Sequence, residues 1–581
     1  MSQKPNVIII LSDDQGYGDF ACNGNPWLNT PCLDRFASES VSLTDFHTSP
    51  MCAPTRAGLM SGRYPDRVGV WSTLNGCFIM NKETRIMPQI FKDSGYRTGM
   101  FGKWHLGDNY PYRAIDKGFD EVLSFGGGVI GEVPDYWDND YFDDVYLDNG
   151  RWEEHQGYCT DIWFDRAIKF IQDGSREEPF LCYLANNAPH RPFNVDNKYS
   201  GKYEAMGIST QIARFYGMIE NIDENFGRLD EALKDSGLAD NTIVIYFGDN
   251  GTCGGAYMDE QGFVKDGFNA GLRGKKCDPY EGGHKNACYI RWPEGGLKGG
   301  YEVNGLSANF DLLPTLMGLA GVDDREGTVF DGTNLSAFLK EKNSTINDRQ
   351  LVIHNMQLER PEKYKDYCVL TNSWRMTRTA VYGHDEIELY DFKKDIEQKR
   401  DLAAAEPAVI RELSSVYDAW WDEMAKQYDS FSPIAIGSPR EPETKLTSHS
   451  WHGSTEMSYN QTHIRDGIND TGYWELEVLE TGSYHIELRR WPKEIDTALK
   501  DSVPAVPGTD RVHERNAGKI YDIVNAGISC GKYSGETEVL DGQTSAVFTV
   551  FLEEGPVKLD AWFDCSDSSR IGAYYTYISR K

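Results

Sequence analysis

Basic residues are scarce in this chain: 59 Lys and Arg stand against 90 Asp and Glu, giving a net charge of −31 over 581 residues. A field of that sign repels a phosphate backbone at long range, so nucleic acid is excluded as the expected partner. Long apolar runs are also missing. A transmembrane helix needs roughly 20 consecutive apolar residues, whereas the longest early run, Val7 to Leu11, is of strand length. No transmembrane segment is expected. The N-terminal Met1-Ser2-Gln3-Lys4-Pro5 leads into that run with neither a signal-peptide apolar region nor a cleavage site. As written the chain reads as cytoplasmic, and as periplasmic or secreted if a signal has been removed. Twelve cysteines are too few for a disulfide scaffold, and no pair has zinc-ribbon spacing. Mostly free thiols are expected, with no internal repeat and no low-complexity tract.

What is present is a chain long enough for about two to four domains at roughly 150 residues each, with 40% hydrophobic and 12% aromatic residues to fill a core. Several short apolar runs end abruptly in polar or ionisable residues. Asn6 to Leu11 runs into Ser12-Asp13-Asp14, and Thr242 to Phe247 into Gly248-Asp249-Asn250. Thr98 to Phe101 leads to Gly102-Lys103-Trp104-His105, and Phe180 to Leu184 leads to Pro189-His190. Continuous β-branched runs suit central parallel strands covered on both faces, and ligands of open α/β sheets sit beyond the carboxyl ends of such strands. Four strands would thus deliver Asp, Asn, Lys and His to one crevice.

Between them, Ile212, Phe215, Ile219, Ile222, Phe226, Leu229 and Leu233 form one apolar stripe at helical spacing. From about Leu351 short strand-like runs and a helical stretch from Pro407 to about Lys426 suggest a smaller α+β lobe. After a turn-rich segment, alternation in Tyr473 to Leu479, Tyr484 to Trp491 and Ser545 to Leu552 predicts a β-sandwich. The expected architecture is α/β: a large, mostly parallel sheet with helices on both faces (1–345), a small α+β lobe (346–430) and a C-terminal sandwich (440–581).

Cys52-Ala53-Pro54-Thr55-Arg56 carries a helix-start signal at the proline, directly after a cysteine. A helix N-terminus offers free N–H groups and a positive dipole end to an anion. Alone, such a cysteine reads as a small buried hydrophobe, and a single Asp after a strand reads as a cap or turn. Asp13, Asp14, Asp249 and Asn250 offer hard oxygen atoms of the kind calcium takes, and what lifts them above the cap reading is a resemblance to a known family.

These residues resemble the type I sulfatases. The similarity lies in Cys-x-Pro-x-Arg at 52–56 with Ser-Gly-Arg behind it, Asp13-Asp14, Gly102-Lys103-Trp104-His105-Leu106-Gly107 and Gly248-Asp249-Asn250-Gly251. Lys276 before Tyr280-Glu281-Gly282-Gly283, and Glu388-Leu389-Tyr390-Asp391, add to it. It covers roughly residues 5 to 430; 440–581 carry no matching motif. The resemblance implies an alkaline-phosphatase-like fold and a Cys52 oxidised to formylglycine by a maturation enzyme, which is therefore an implied partner. It implies a Ca2+ held by Asp13, Asp14, Cys52, Asp249 and Asn250. Arg56 would orient the formylglycine, Lys103 and Lys276 would grip sulfate oxygens, His105 would hold the hydrate hydroxyl, and His190 would be the general acid. Lys275 adjoins Lys276, and spacing from Tyr280 favours Lys276; the intervening Cys277-Asp278-Pro279 departs from the Gly, Ser or Thr common in the family.

The expected reaction is S–O cleavage of a sulfated carbohydrate through a covalent sulfo-enzyme. Arg191 is a candidate substrate contact or a surface ion-pair residue. The aromatic and acidic segment Pro134 to Asp144 is read as a packed insertion rather than a sugar platform, and Trp451, Trp474 and Trp491 as core rather than sugar-lining. One alternative is a phosphonate monoester or phosphodiester hydrolase with the same site. Another is a sulfated-glycan-binding protein with an unconverted, inactive Cys52. A cysteine-protease reading leaves Asp13, Asp14, Asp249 and Asn250 without a role. No motif reports the number of subunits.

Overall fold

The computed structural model describes residues 4–174, 178–383, 385–456 and 458–581. Asn6–Ser12 is buried along its whole length and lies inside an eleven-stranded sheet. It pairs in parallel with Thr242–Gly248, Ser12 opposite Gly248, and with Phe180–Ala185, Leu11 opposite Ala185. Arg97–Gly102 adds in parallel with Gly102 opposite Ala185. Because the four strands stop at nearly one level, Asp13, Lys103, Asn186 and Asp249 leave the sheet along a common edge. Cys288–Arg291 runs antiparallel to Thr242–Gly248, with Val41–His47 beyond it, so the sheet is mixed but parallel where the apolar runs are continuous.

Alternation along a strand explains that continuity. Val7, Ile9 and Leu11 face one layer; Ile8 and Ile10 face the other, where they meet the stripe from Ile212 to Leu233. That stripe belongs to the helix Thr210–Asp235. The smaller lobe is an antiparallel sheet of Leu351–His354, Tyr367–Leu370, Trp374–Arg378 and Ile387–Asp391. Leu413, Tyr417, Trp420 and Trp421 of the helix Pro407–Met424 fill its core.

The C-terminal sheets form a sandwich. One contains Ile434–Ile436, Tyr473–Val478, Ile523–Cys530 and Gly555–Cys565; the other contains Glu443–Thr447, Gly482–Arg489, Ala546–Leu552 and Tyr575–Arg580. Its apolar interior is continuous with one face of the large sheet. Trp451, Trp474 and Trp491 are fully buried, which leaves them no surface for a sugar. Trp137, from the Pro134–Asp144 segment, meets Trp491 edge-on at 5.6 Å, so that insertion docks the sandwich.

Candidate functional site

Cys52 is the first residue of the helix Cys52–Ser61, whose residues are all buried. The sequence placed the start at Pro54; the helix begins two residues earlier, and Pro54 still falls in the first turn, where its missing N–H has no helical partner to lose. Cys52 Sγ lies 3.4 Å from His105 Nδ1, and His105 Nε2 is 3.4 Å from the Thr73 carbonyl oxygen. Burial pushes the thiol up, against the pull of Lys103 and Lys276. Burial, with Lys103, His449 and Arg56 nearby, drives His105 well below the usual imidazole range.

One helical turn on, the fully buried Arg56 donates to Asp249 Oδ2 at 2.8 Å and to the Lys103 carbonyl at 3.1 Å. This ties the cysteine helix to two strand ends. Lys103 Nζ donates to Asp13 Oδ2 at 2.7 Å, and Lys276 Nζ to Asp14 Oδ1 at 2.5 Å. Of the adjacent lysines, Lys276 is the one whose ammonium reaches Asp14; the Lys275 backbone N–H donates to Asp278 Oδ2. Asn250 Nδ2 donates to Asp14 Oδ1 at 2.9 Å, and the Asp14 amide to Asp249 Oδ1 at 3.0 Å. Asp14 and His105 have φ of 72° and 59°, left-handed conformations that cost a non-glycine residue about 1–3 kcal/mol and cluster at functional sites.

Several atoms here fit a hard cation. Asp13 Oδ1, Asp14 Oδ2 and Asn250 Oδ1 are buried without a hydrogen-bond partner. Ligand atoms of Asp13, Cys52 and Asp249 lie within 4.8 Å of one another, as do those of Asp13, Asp14 and His190. Burial and the neighbouring Asp249 raise the Asp13 carboxyl well above its ordinary range, the response of a carboxylate short of counter-charge. Burial would raise Asp14 too, but His190 and Lys276, with the Asn250 hydrogen bond, hold it far below the usual range. Buried carboxylates with unpaired oxygens are costly unless a cation meets them.

His190 follows the strand Phe180–Ala185. Its Nε2 is 3.5 Å from Asp14 Oδ2, and its Nδ1 is 2.6 Å from the Arg191 carbonyl, which requires the proton on Nδ1. Burial, opposed by Asp14, pushes this ring down to about 3. Arg191 is exposed beside it, its Nη2 3.4 Å from Cys253 Sγ. The structure thus gathers the ten candidates Asp13, Asp14, Cys52, Arg56, Lys103, His105, His190, Asp249, Asn250 and Lys276 around one sheet edge and leaves Arg191 at its rim.

Sequence reasoning missed His449. It is buried, stacks on Phe78 at 4.3 Å and lies 6.0 Å from the His105 ring. Glu132 and Asp108 carboxylates stand 3.6 and 3.9 Å from its nitrogens and, against burial, raise its basicity. It arrives from the segment Ser448–Ser450 beside the sandwich strand Glu443–Thr447, where no local motif announces it.

Comparison with known proteins bears on this geometry. A family model described as Sulfatase matches residues 5–322, more than half of the chain. N-acetylgalactosamine-6-sulfatase of Homo sapiens is 28% identical over 408 residues, covering 65% of this chain and 74% of that protein. Arylsulfatase A of Homo sapiens is 26% identical over 507 residues, covering 77% of this chain and 94% of its own. Among solved structures, Ps i-CgsB in complex with k-i-k-neocarrahexaose superposes with a TM-score of 0.65 at 26% identity, covering 74% of this chain and 95% of that one. With its family model spanning the strands that carry Asp13, Lys103 and Asp249, the chain belongs to the sulfatases, sulfuric ester hydrolases of the alkaline-phosphatase-like superfamily.

Proposed function

We propose that this enzyme releases inorganic sulfate from a sulfated oligo- or polysaccharide by S–O cleavage at residue 52. The observation that carries the reading is the placement of Cys52 at a helix start, against His105 and among Lys103, Lys276, Asp13 and Asp249. The carbohydrate part draws support from relatives: one is named for N-acetylgalactosamine 6-sulfate chemistry and another was solved with a neocarrahexaose. Oxidised to formylglycine, residue 52 supplies a hydrated aldehyde as the nucleophile. Asp13, Asp14, Asp249 and Asn250, with residue 52, would hold Ca2+, a Lewis acid for that chemistry.

The other residues have separable tasks. Lys103 and Lys276 keep a cationic wall for the sulfate oxygens, each anchored by one carboxylate so that its charge stays in place as the ester's charge redistributes. Arg56 fixes the helix start against Asp249. His105 Nδ1, facing residue 52, holds and later removes a hydroxyl proton there. His190 Nε2 protonates the leaving alcohol; the ring is neutral in the free site, and the arriving anionic ester favours its protonated form.

His190→Ala is expected to lower kcat on sugar sulfates by about 10²–10⁴-fold while sparing aryl sulfates, whose leaving phenolates need little protonation. Equal losses on both ester types would remove the general-acid role. A second test concerns Gly128, where a Cβ would stand 2.2 Å from His105 Cε1 and 2.4 Å from its Nε2. Gly128→Ala should displace the ring and reduce kcat by about 10²-fold, with no comparable effect on KM; unchanged turnover would show that His105 position is not critical. The whole reading is tested by free-sulfate release from a sulfated-saccharide panel, beside matched phosphonate esters. Turnover of the phosphonates alone would overturn it.

A further inference from the structure

We propose that His47 is a positioning residue: through a buried hydrogen bond to His284 it fixes the loop that carries Lys276 against the segment that leads to residue 52. The inference rests on the reading of Lys276 as a lysine that grips sulfate, and adds what holds that lysine in place.

The strand Val41–His47 ends five residues before Cys52. The loop from Lys276 runs into the short helix Glu281–His284 and then pairs with that strand, Lys285 opposite His47. Backbone bonds zip the two segments together: the Cys277 amide donates to the Pro50 carbonyl at 3.0 Å, and the Thr48 amide to the His284 carbonyl at 2.8 Å. The side chain of His284 joins both. Its Nε2 is 3.1 Å from the carbonyl oxygen of Pro279, three residues beyond Lys276, and its Nδ1 is 2.9 Å from His47 Nδ1. Both histidines are fully buried. Lys276 must meet sulfate oxygens whose place is set by residue 52, and a misplacement of about 1 Å between such groups costs on the order of 10²-fold in rate.

Hydrogen-bond geometry assigns the protons. A carbonyl only accepts, so His284 Nε2 carries a hydrogen. His47 Nε2 stands 2.8 Å from Asp45 Oδ1. Burial would raise Asp45, but Arg375, Lys285 and His47 hold it well below the usual carboxylate range, so it accepts as well and His47 Nε2 also carries a hydrogen. A third proton lies between the two Nδ1 atoms, and three protons on four ring nitrogens give the pair one positive charge. Burial, opposed by Glu281, pushes His284 down to about 3, which leaves the charge on His47. A charged donor makes the stronger kind of hydrogen bond. Behind the pair, Arg375 of the smaller-lobe strand Trp374–Arg378 donates to both Asp45 oxygens at 2.9 and 3.0 Å and to Glu281 Oε1 at 2.5 Å. The brace is thus anchored on a second sheet.

The test uses the full-length enzyme on a fluorogenic aryl sulfate and reads kcat/KM, inhibition by inorganic sulfate, and Tm. In His47→Gln the amide falls at the level of ring Nε2 and misses His284; it is expected to lower kcat/KM about tenfold and to weaken sulfate inhibition. In His47→Asn the amide falls at the level of Nδ1, and both quantities should return to within about threefold of the parent. His284→Gln keeps the Pro279 bond and loses the one to His47; it should match His47→Gln, and it carries the comparison if that variant does not fold. In a Lys276→Ala background either Gln variant should cost little more, while in a His190→Ala background it should cost its full factor. Equal factors in the two backgrounds, equal losses from Asn and Gln, or failure of both Gln variants to fold would mark a role in stability alone and overturn the proposal. If Lys276→Ala by itself leaves kcat/KM and sulfate inhibition unchanged, the reading of Lys276 falls and the brace with it.

Discussion

Cys52→Ala is expected to reduce sulfate release by a factor on the order of 10⁴–10⁶, the scale at which removal of a covalent nucleophile leaves only binding and electrostatic contributions. The substitution deletes a single sulfur whose hydrogen-bond contact is with His105, so the fold should survive and Tm should stay close to that of the parent. The loss is therefore assignable to chemistry. Peptide mass spectrometry across residues 52–56 gives the companion result: activity of the parent should scale with the fraction of chains in which the thiol has become an aldehyde. Full activity with an intact thiol would refute the formylglycine reading, and residual activity in the alanine variant near the parental rate would refute residue 52 altogether.

Chelation should have the second largest effect. Asp13, Asp14 and Asp249 are buried together at one sheet edge, and the unpaired oxygens of Asp13, Asp14 and Asn250 represent a desolvation cost with no return unless a cation is bound. A ligand that binds the folded state alone stabilises it by mass action, about 4 kcal/mol at a thousandfold excess over Kd. Stripping divalent ions is thus expected to abolish turnover and lower Tm, with calcium restoring both. Asp249→Ala should show low turnover and a calcium-insensitive Tm, since it removes a candidate ligand and leaves Arg56 without its 2.8 Å partner. A parent Tm indifferent to both chelator and calcium would contradict the metal assignment.

Much of this site was legible because the residues sit where apolar runs end. A strand such as Val7 to Leu11, covered on both faces, has no polar position until it leaves the sheet, so Asp13 and Asp14 stand out in the sequence; the same holds for Asp249 and Asn250. The helix stripe from Ile212 to Leu233 was visible for a similar reason, one face being spent on the sheet. Lys276 was separable from Lys275 only through the resemblance, since both are flanked by the same loop; the structure distinguishes them by their partners. What escaped detection depends on long-range closure. His449 lies hundreds of residues from His105 in a segment with no periodic or motif signal, and its neighbours Glu132 and Asp108 look like any surface acids until the chain brings His449 between them. A cleft at His190 is hidden in the same way, because half of its wall belongs to Tyr459–His463 and His513–Arg515.

The distance along the chain between Cys52 and His449 has a consequence in time. Cys52 is 3% exposed in the folded protein, and the histidine that packs behind its neighbour His105 is encoded about 400 residues later. At roughly 5–20 residues per second of synthesis, the ribosome needs on the order of 20–80 s to reach it. During that interval the catalytic sheet lacks the sandwich that shares its apolar core, and His105 lacks the His449 ring that stacks beside it. On the formylglycine proposal, chain elongation sets the time for which residue 52 can be converted before the last packing around His105 is complete, so slower translation is expected to raise the converted fraction read by peptide mass spectrometry.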